Sequence, residues 1–242
     1  MSAISTTPFI PDSFAPPKVL PLEDGDHMSV EELIRRWEAL PEDWREEHKH
    51  VELIEGVVRM PPISGGSHAL PHVDFLGMLG IYRWATPGVV AGGPASIILD
   101  TKHMPEPDGF LAIDPRCGGR VKFDEKGYVI GAPELLAEIS SSSVSFDLHT
   151  KKEIYRKFAV KEYVVWRTKE QAIDWFILRG DQYEPLPMTA GVYRSELFPG
   201  LWLAATALIA SDFAAVKATL EQGLASPEHG AFVEQLQRQK SP

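Results

Sequence analysis

The sequence predicts an α/β or α+β fold in which helices flank a sheet. Three observations lead there. Segments of helical and strand period alternate in the order helix, hairpin, helix, strands, helix, strands. The stretch "APELLAEIS" (132–140) is apolar on both faces, as a strand covered on both sides must be. A chain of 242 residues, 44% of them hydrophobic, can bury a full core as one domain with appendages.

Residues 1–27 are rich in proline and polar side chains without sustained periodicity, and read as a disordered or extended arm. Ser29 and Glu32 form a capping box, and Val30, Leu33, Ile34, Trp37 and Leu40 make the apolar stripe of a first helix that Pro41 ends. "HVELIEGVVRM" (50–60) predicts two strands turning at Glu55-Gly56. Pro61-Pro62 and Gly65-Gly66 break the pattern, and a helix is expected from Pro71 to Ala85 with Val73, Leu76, Leu79 and Tyr82 inward. "VAGGPAS" has no Walker lysine and reads as a turn.

"ASIILD" and "PDGFLAI" are the next strands, and a glycine-rich excursion leads to the central one. A helix from about Val144 to Phe158 follows, with Ser143 or Ser145 as its cap. "KEYVVWR", "QAIDWFIL" and "QYEPL" then form a meander. Two C-terminal helices end the chain, the second capped by Ser226 with Pro227 at its first position. The expected organisation is an arm at 1–27, a main domain at 28–205 and a helical extension at 206–242, which either packs on the core or mediates a homodimer.

A formal net charge of -10 excludes a protein that coats nucleic acid with its whole surface, so any such contact must be local. No apolar run approaches the roughly 20 residues of a membrane span, and the N-terminus lacks the layout of a secretory signal. A soluble, cytoplasmic protein with no membrane partner is expected. Cys117, the single cysteine, reads as a loop thiol and rules out an internal disulfide or a cysteine-based zinc cage.

Carboxylates on apolar strands are costly unless paired, hydrogen-bonded or metal-bound. Glu52, Asp108 and Glu138 are such residues. A hard cation such as Mg²⁺ takes one or two carboxylates plus carbonyls, waters and phosphate, which suits Asp108 and Glu138 on neighbouring strands. The plain alternative is turn chemistry for Asp108 and a lysine partner for Glu138. In the helix after Glu138, Leu148, Ile154, Tyr155 and Phe158 point inward, and Lys151 stands among them. It either snorkels outward or meets a buried anion, with Asp147 one turn earlier able to bridge to it. Near the carboxylates it would orient or deprotonate a water, or stabilise charge on a phosphate.

"ELIEG", "PD" before an apolar strand, "PELLAEIS" and "DLHTKKEIYRKFAVKEYVVW" occur in linked order over residues 29–186. Together they resemble the Uma-type "putative restriction endonuclease" family of the PD-(D/E)xK nuclease superfamily. The resemblance implies a restriction-endonuclease-like mixed central sheet flanked by helices. It implies metal-assisted phosphodiester hydrolysis, with DNA as the expected partner and Mg²⁺, or Mn²⁺ in its place, as cofactor. Asp108 matches the "PD" aspartate, Glu138 the second acidic residue and Glu52 the acidic residue before the first turn. Ser140 stands where the superfamily's simplest pattern has lysine, and Lys151 corresponds to the lysine that Uma-type relatives carry on the following helix. The implied cation ligands are Asp108, Glu138, the carbonyl of Ile139, and Glu52 directly or through water. His72, Asp147 and Tyr155 are candidates for supporting the ligands or contacting phosphate.

Other patterns carry less. His68 and His72 lie four apart and His48 and His50 two apart, but H-E-x-x-H is missing and Pro71 is expected to interrupt a helix through the first pair. The basic run Lys151, Lys152, Arg156, Lys157, Lys161 is either a solvated helix face or a source of local phosphate contacts. The competing functional readings are a catalytically silent nucleic-acid- or protein-binding module that retains the fold, and a phosphoesterase with a pocket too narrow for a duplex.

Overall fold

A computed structural model describes residues 20–61 and 66–240. The expected arm at 1–27 lies, through residue 19, outside the described residues. The described chain opens with α1 (Val30–Ala39), capped by the Ser29 hydroxyl, which accepts from Glu32 N–H. Pro41 ends α1 but also starts a short helix that the sequence reading lacked, α2 (Glu42–Glu47). The hairpin β1 (Glu52–Ile54) and β2 (Val57–Arg59) turns where expected, with Glu55 and Gly56 both at positive φ, as a two-residue hairpin turn requires. Val30, Leu33 and Leu40 pack with Leu53, Val58 and Met104 in a small core of their own.

Helix α3 (Gly66–Ala85) starts five residues before the expected Pro71 and runs through it. A proline this early removes one backbone hydrogen bond without ending the helix. Its buried stripe is Phe75, Met78, Leu79 and Tyr82, whereas Val73, expected inward, is exposed. After α3 comes β3 (Val89–Gly92), so the front of "VAGGPAS" is an edge strand and not merely a turn. β4 (Ile97–Ile98) is a two-residue remnant of the expected "ASIILD" strand. β5 (Gly109–Ile113) leads into a 3-10 turn, Pro115–Cys117, where Cys117 is buried in the core and not on a loop surface. Two short strands, β6 (Lys122–Phe123) and β7 (Val129–Ile130), join β4 in a small sheet.

β8 (Leu135–Ser140) is buried along its whole length. The helix after it is π-helical over Phe146–Lys151 and becomes α4 over Lys152–Lys157. Then follow β9 (Glu162–Arg167), β10 (Ala172–Arg179) and β11 (Gln182–Pro185). The main sheet runs β11-β10-β9-β8-β5-β3, with β8 and β9 parallel and every other neighbour antiparallel. A parallel neighbour needs a crossover, and the helical segment 146–157 supplies it, lying against the sheet that Glu138 belongs to.

Side-chain alternation on β8 divides the core in two. Leu135, Ala137 and Ile139 join α3 residues, and Leu136 joins Ile154, Tyr155, Tyr163 and Val165 on the opposite face. A second small sheet, β12 (Met188–Thr189), β13 (Val192–Arg194) and β14 (Trp202–Ala204), was not foreseen. It precedes three helices where two were expected: α5 (Ala205–Ile209), α6 (Phe213–Leu224) and α7 (Pro227–Gln239). Val216, Leu220, Phe232 and Leu236 from these helices share one cluster with Phe75, Tyr82 and Trp175. Phe213 stays half exposed.

Candidate active site

Four elements bring acidic residues to one cavity of about 820 Å³, lined by Glu52, Asp108, Glu138, Asp147 and Lys151 among others. Glu52 arrives on β1, because the Leu53–Met104 bridge fastens the hairpin beside the 104–108 segment. Asp108 stands immediately before β5, and Glu138 on the neighbouring β8, whose register pairs Gly109 with Ala137. Lys151 and Asp147 come from the π-helical turn of the crossover.

Lys151 is buried, and its Nζ lies 2.8 Å from Glu52 Oε1, 3.1 Å from Glu138 Oε1 and 4.0 Å from Asp147 Oδ1. The snorkelling alternative is therefore excluded in this fold. Burial alone would lower the Lys151 pKa, but Glu138, Glu52 and Asp147 raise it well above its ordinary value. A raised pKa favours the ammonium form, which suits stabilising charge on a phosphate better than deprotonating a water. Burial pushes the Glu138 carboxyl well above the usual carboxylate range; Lys151 opposes this, while Asp147, Asp108 and Glu52 add to it.

Tyr155 O–H donates to Glu138 Oε1 at 2.8 Å, the same oxygen that Lys151 approaches. Ser140 and Ser143 hydroxyls each donate to Asp147 Oδ2 at 2.6 Å. The serine run holds Asp147, and neither Ser143 nor Ser145 caps the helix with its side chain as expected; Ser145, at the cap position, makes no such bond. Ser140, two residues after Glu138, thereby anchors Asp147, one turn before Lys151.

Asp108 is held from two sides. Its Oδ2 accepts from Ile139 N–H at 2.7 Å, and its Oδ1 lies 3.0 Å from His68 Nε2. Burial alone would raise the Asp108 carboxyl, but hydrogen bonds from His68 and the Ile139 N–H carry it below its ordinary value. His68 is correspondingly raised by its bond to Asp108. His72 Nε2 donates to the Asp108 main-chain carbonyl at 2.8 Å. Since α3 passes through Pro71 without the expected interruption, both histidines lie on one helical face.

The three expected carboxylate ligands do not close around one point. Among the described residues, the one group of three whose ligand atoms lie within 4.8 Å of one another is His68, His72 and Asp108. The ammonium between Glu52 and Glu138 accounts for the spread. Glu52 Oε1 also accepts from Glu106 N–H at 2.7 Å, and Glu106 in turn meets His50.

The donor set nevertheless suits a divalent cation. Six carboxyl groups line the cavity against Lys151, Lys169 and Arg59, so oxygen donors outnumber the fixed cations there. Oxygen ligands of this kind match Mg²⁺ or Mn²⁺.

The residues missed by sequence reasoning are His68, Glu106, His50, Arg59 and Lys169, all at the cavity. His68 had a signal, its four-residue spacing from His72. Arg59 and Lys169 had none, because each is an isolated basic residue, Arg59 at the end of β2 and Lys169 in the turn between β9 and β10. The basic run lies elsewhere: Lys152, Arg156, Lys157 and Lys161 do not line the cavity. Lys152 Nζ sits 3.4 Å over the Phe176 ring, and Arg156 bonds Glu153 and the Asp181 carbonyl.

Comparison with known proteins adds three findings. The family model Uma2, described as "Putative restriction endonuclease", matches residues 30–206. The chain resembles a crystal structure titled as a "putative nuclease belonging to DUF820" from Anabaena variabilis ATCC 29413. That likeness has a TM-score of 0.51 at 18% identity and covers 79% of this chain and 98% of the other. No curated protein matches. The structural likeness establishes a shared nuclease-like fold. Among the described residues, no helix is long and apolar enough to cross a membrane.

Proposed function

We propose, from the premise that the chain belongs to the Uma2 restriction endonuclease-like family, that it is a divalent-metal-dependent endonuclease hydrolysing phosphodiester bonds in DNA. One observation carries the reading: buried Glu138, Lys151 and Asp147, with Glu52 and Asp108, line one open cavity. Evolving such a cluster for stability alone would be poor use of a core, because buried ion pairs gain little over well-packed apolar residues.

Asp108 and Glu138 are the residues we assign to hold Mg²⁺ or Mn²⁺. Both donors to Glu138 use Oε1, so Oε2 is the oxygen we assign to the ion. In an extended strand the N–H and C=O of one residue point the same way, so the Ile139 carbonyl faces the Asp108 side with its N–H and fits a third ligand. When bound, the ion polarises the phosphate and lowers the pKa of a water.

The chain's own groups supply the rest. Lys151, an ammonium fixed by Glu52 and Glu138, stabilises charge that develops on the phosphate oxygens. Glu52 acts by holding Lys151, a role its contacts favour over direct ligation. Asp147 and Tyr155 position Lys151 and Glu138 respectively. Arg59 and Lys169 at the cavity give the local phosphate contacts that a chain of net charge -10 needs.

Purified protein incubated with supercoiled and linear DNA, with Mg²⁺, Mn²⁺ or chelator, tests this. Cleavage should need the metal and disappear in Asp108→Ala. Cleavage that survives in Asp108→Ala removes the proposal, and DNA binding without cleavage by the wild type would favour the silent binding module.

A further inference from the structure

We propose that His68 and His72, with Asp108, form a binding position for a divalent transition-metal ion, distinct from the all-oxygen position at Glu138. The inference shares Asp108 with the proposed nuclease reading but does not require catalysis.

The first ground is geometry. One nitrogen of each histidine and one oxygen of Asp108 lie within 4.8 Å of one another. Two atoms bound about 2.1 Å from one metal stand about 3.0 Å apart when at right angles. The His68 Nε2 to Asp108 Oδ1 separation is 3.0 Å, already the edge of such a polyhedron. Only the proton between them need leave.

The second ground is the state of the rings. A carbonyl oxygen only accepts, so the Nε2 of His72 that meets the Asp108 carbonyl is protonated, and the neutral ring has its lone pair at Nδ1. A metal bound at Nδ1 would take that lone pair and leave intact the bond that orients the ring. Such a hydrogen bond from the second ring nitrogen is the usual support of a ligating histidine.

The third ground is rigidity and access. Both histidines lie on α3, one turn apart, and α3 is anchored by Phe75, Met78, Leu79 and Tyr82. Both rings also line the cavity, so an ion there would keep positions open to water or substrate. The N-terminal end of α3 disfavours a cation, but the Asp108 carboxyl is itself a ligand and the carboxyl groups of Glu138 and Asp147 line the same cavity.

Ligand softness sets the selectivity. Imidazole suits Mn²⁺ through Zn²⁺ far better than Mg²⁺, which prefers oxygen. The cavity would then hold a borderline ion on the imidazole side of Asp108 and a hard ion on the Glu138 side.

Full-length protein titrated with Co²⁺, followed by visible absorption and calorimetry, tests the position, with pulsed EPR of bound Mn²⁺ reporting nitrogen ligation. Loss of a group supporting a metal ligand costs about 10–100-fold in affinity, and loss of a ligand at least as much. We expect His68→Ala and His72→Ala each to weaken Co²⁺ binding at least tenfold and to abolish the nitrogen signal. His68→Gln keeps a hydrogen bond to Asp108 and should weaken binding as well, which separates ligation from folding. Glu138→Ala should retain Co²⁺ with its nitrogen signal. Wild type that binds no Co²⁺, or binding lost in Glu138→Ala yet kept in both histidine variants, overturns the inference. If Co²⁺ binds through the histidines while no metal supports DNA cleavage, the nuclease reading fails and this one stands.

Discussion

Replacing Lys151 with Met keeps the length of the side chain and removes its charge, which isolates what the ammonium does. Its contacts at 2.8 Å to Glu52 and 3.1 Å to Glu138 are each worth roughly 5–6 kcal/mol before desolvation, taking an effective dielectric of about 20. Desolvating the three groups offsets most of this, and breaking a buried pair from one side costs about 3–5 kcal/mol net. Domains of this size are stable by about 5–15 kcal/mol, so the variant should fold but be markedly weaker. The loss should depend on pH. The folded-state pKa of Glu138 is raised, so its stability contribution is full below the unfolded value and is lost as pH rises through the folded one. Without Lys151 that rise is steeper, because Glu52 and Asp147 then repel an unneutralised charge. Lys151 itself is raised, so its own contribution is lost only in the alkaline range above its ordinary pKa. Urea unfolding of wild type and Lys151→Met at pH 5 and pH 8 reads both effects. A deficit of about 3–5 kcal/mol at pH 8 that shrinks at pH 5 is expected. A deficit below about 1 kcal/mol at pH 8, the scale of an exposed pair, would refute the argument that this ammonium is buried between carboxylates.

Three further perturbations probe other parts of the structure. Tyr155→Phe deletes the hydrogen bond to Glu138 Oε1 and should cost about 1.5–3 kcal/mol by urea unfolding; a neutral result would mean the hydroxyl does not position Glu138. Glu162, buried and not among the residues that line the cavity, accepts from Trp175, Ser195 and the backbone of Glu196 and Leu197. Glu162→Ala leaves those donors unpaired and should lower stability by about 3 kcal/mol or more while Mg²⁺ affinity, measured by calorimetry on folded protein, stays unchanged. Gly93 has φ of 147°, and a Cβ there would stand 2.2 Å from the Asp108 carbonyl oxygen. Gly93→Ala should therefore displace Asp108, costing about 1–3 kcal/mol and weakening metal binding; unchanged calorimetric affinity for Mn²⁺ would show that Asp108 is not so constrained.

Much of the frame was legible because it depends on local pattern. Apolar residues on both faces of 135–140 mark a strand covered on both sides, and β8 occupies that place. Ser29 and Ser226 cap the helices they were expected to cap, since capping is settled within four residues. The lysine inside an apolar helical stripe was the strongest single clue, because it must either snorkel or meet a buried anion, and here it meets Glu52 and Glu138. The missing parts depend on distant contacts. The start of α3 before Pro71 and its buried phase, with Phe75 in and Val73 out, are set by packing on the sheet and the C-terminal helices. β12 to β14 are too short for periodicity to register. The π-helical turn was equally invisible, and it places Asp147 and Lys151 together in the interior. The proximity of His68 to Asp108 requires the sheet and α3 to be assembled first.

The most direct measurement is single-turnover cleavage of supercoiled plasmid by wild type and by Glu138→Gln, with Mg²⁺ or Mn²⁺ and again with chelator. Glu138→Gln keeps the shape of the side chain and removes the charge assigned to the ion. The account predicts nicked and linear products from wild type only when metal is present, and none from the variant at any metal concentration that leaves it folded. Equal cleavage by the two proteins, or cleavage by the wild type that persists in chelator, would contradict it.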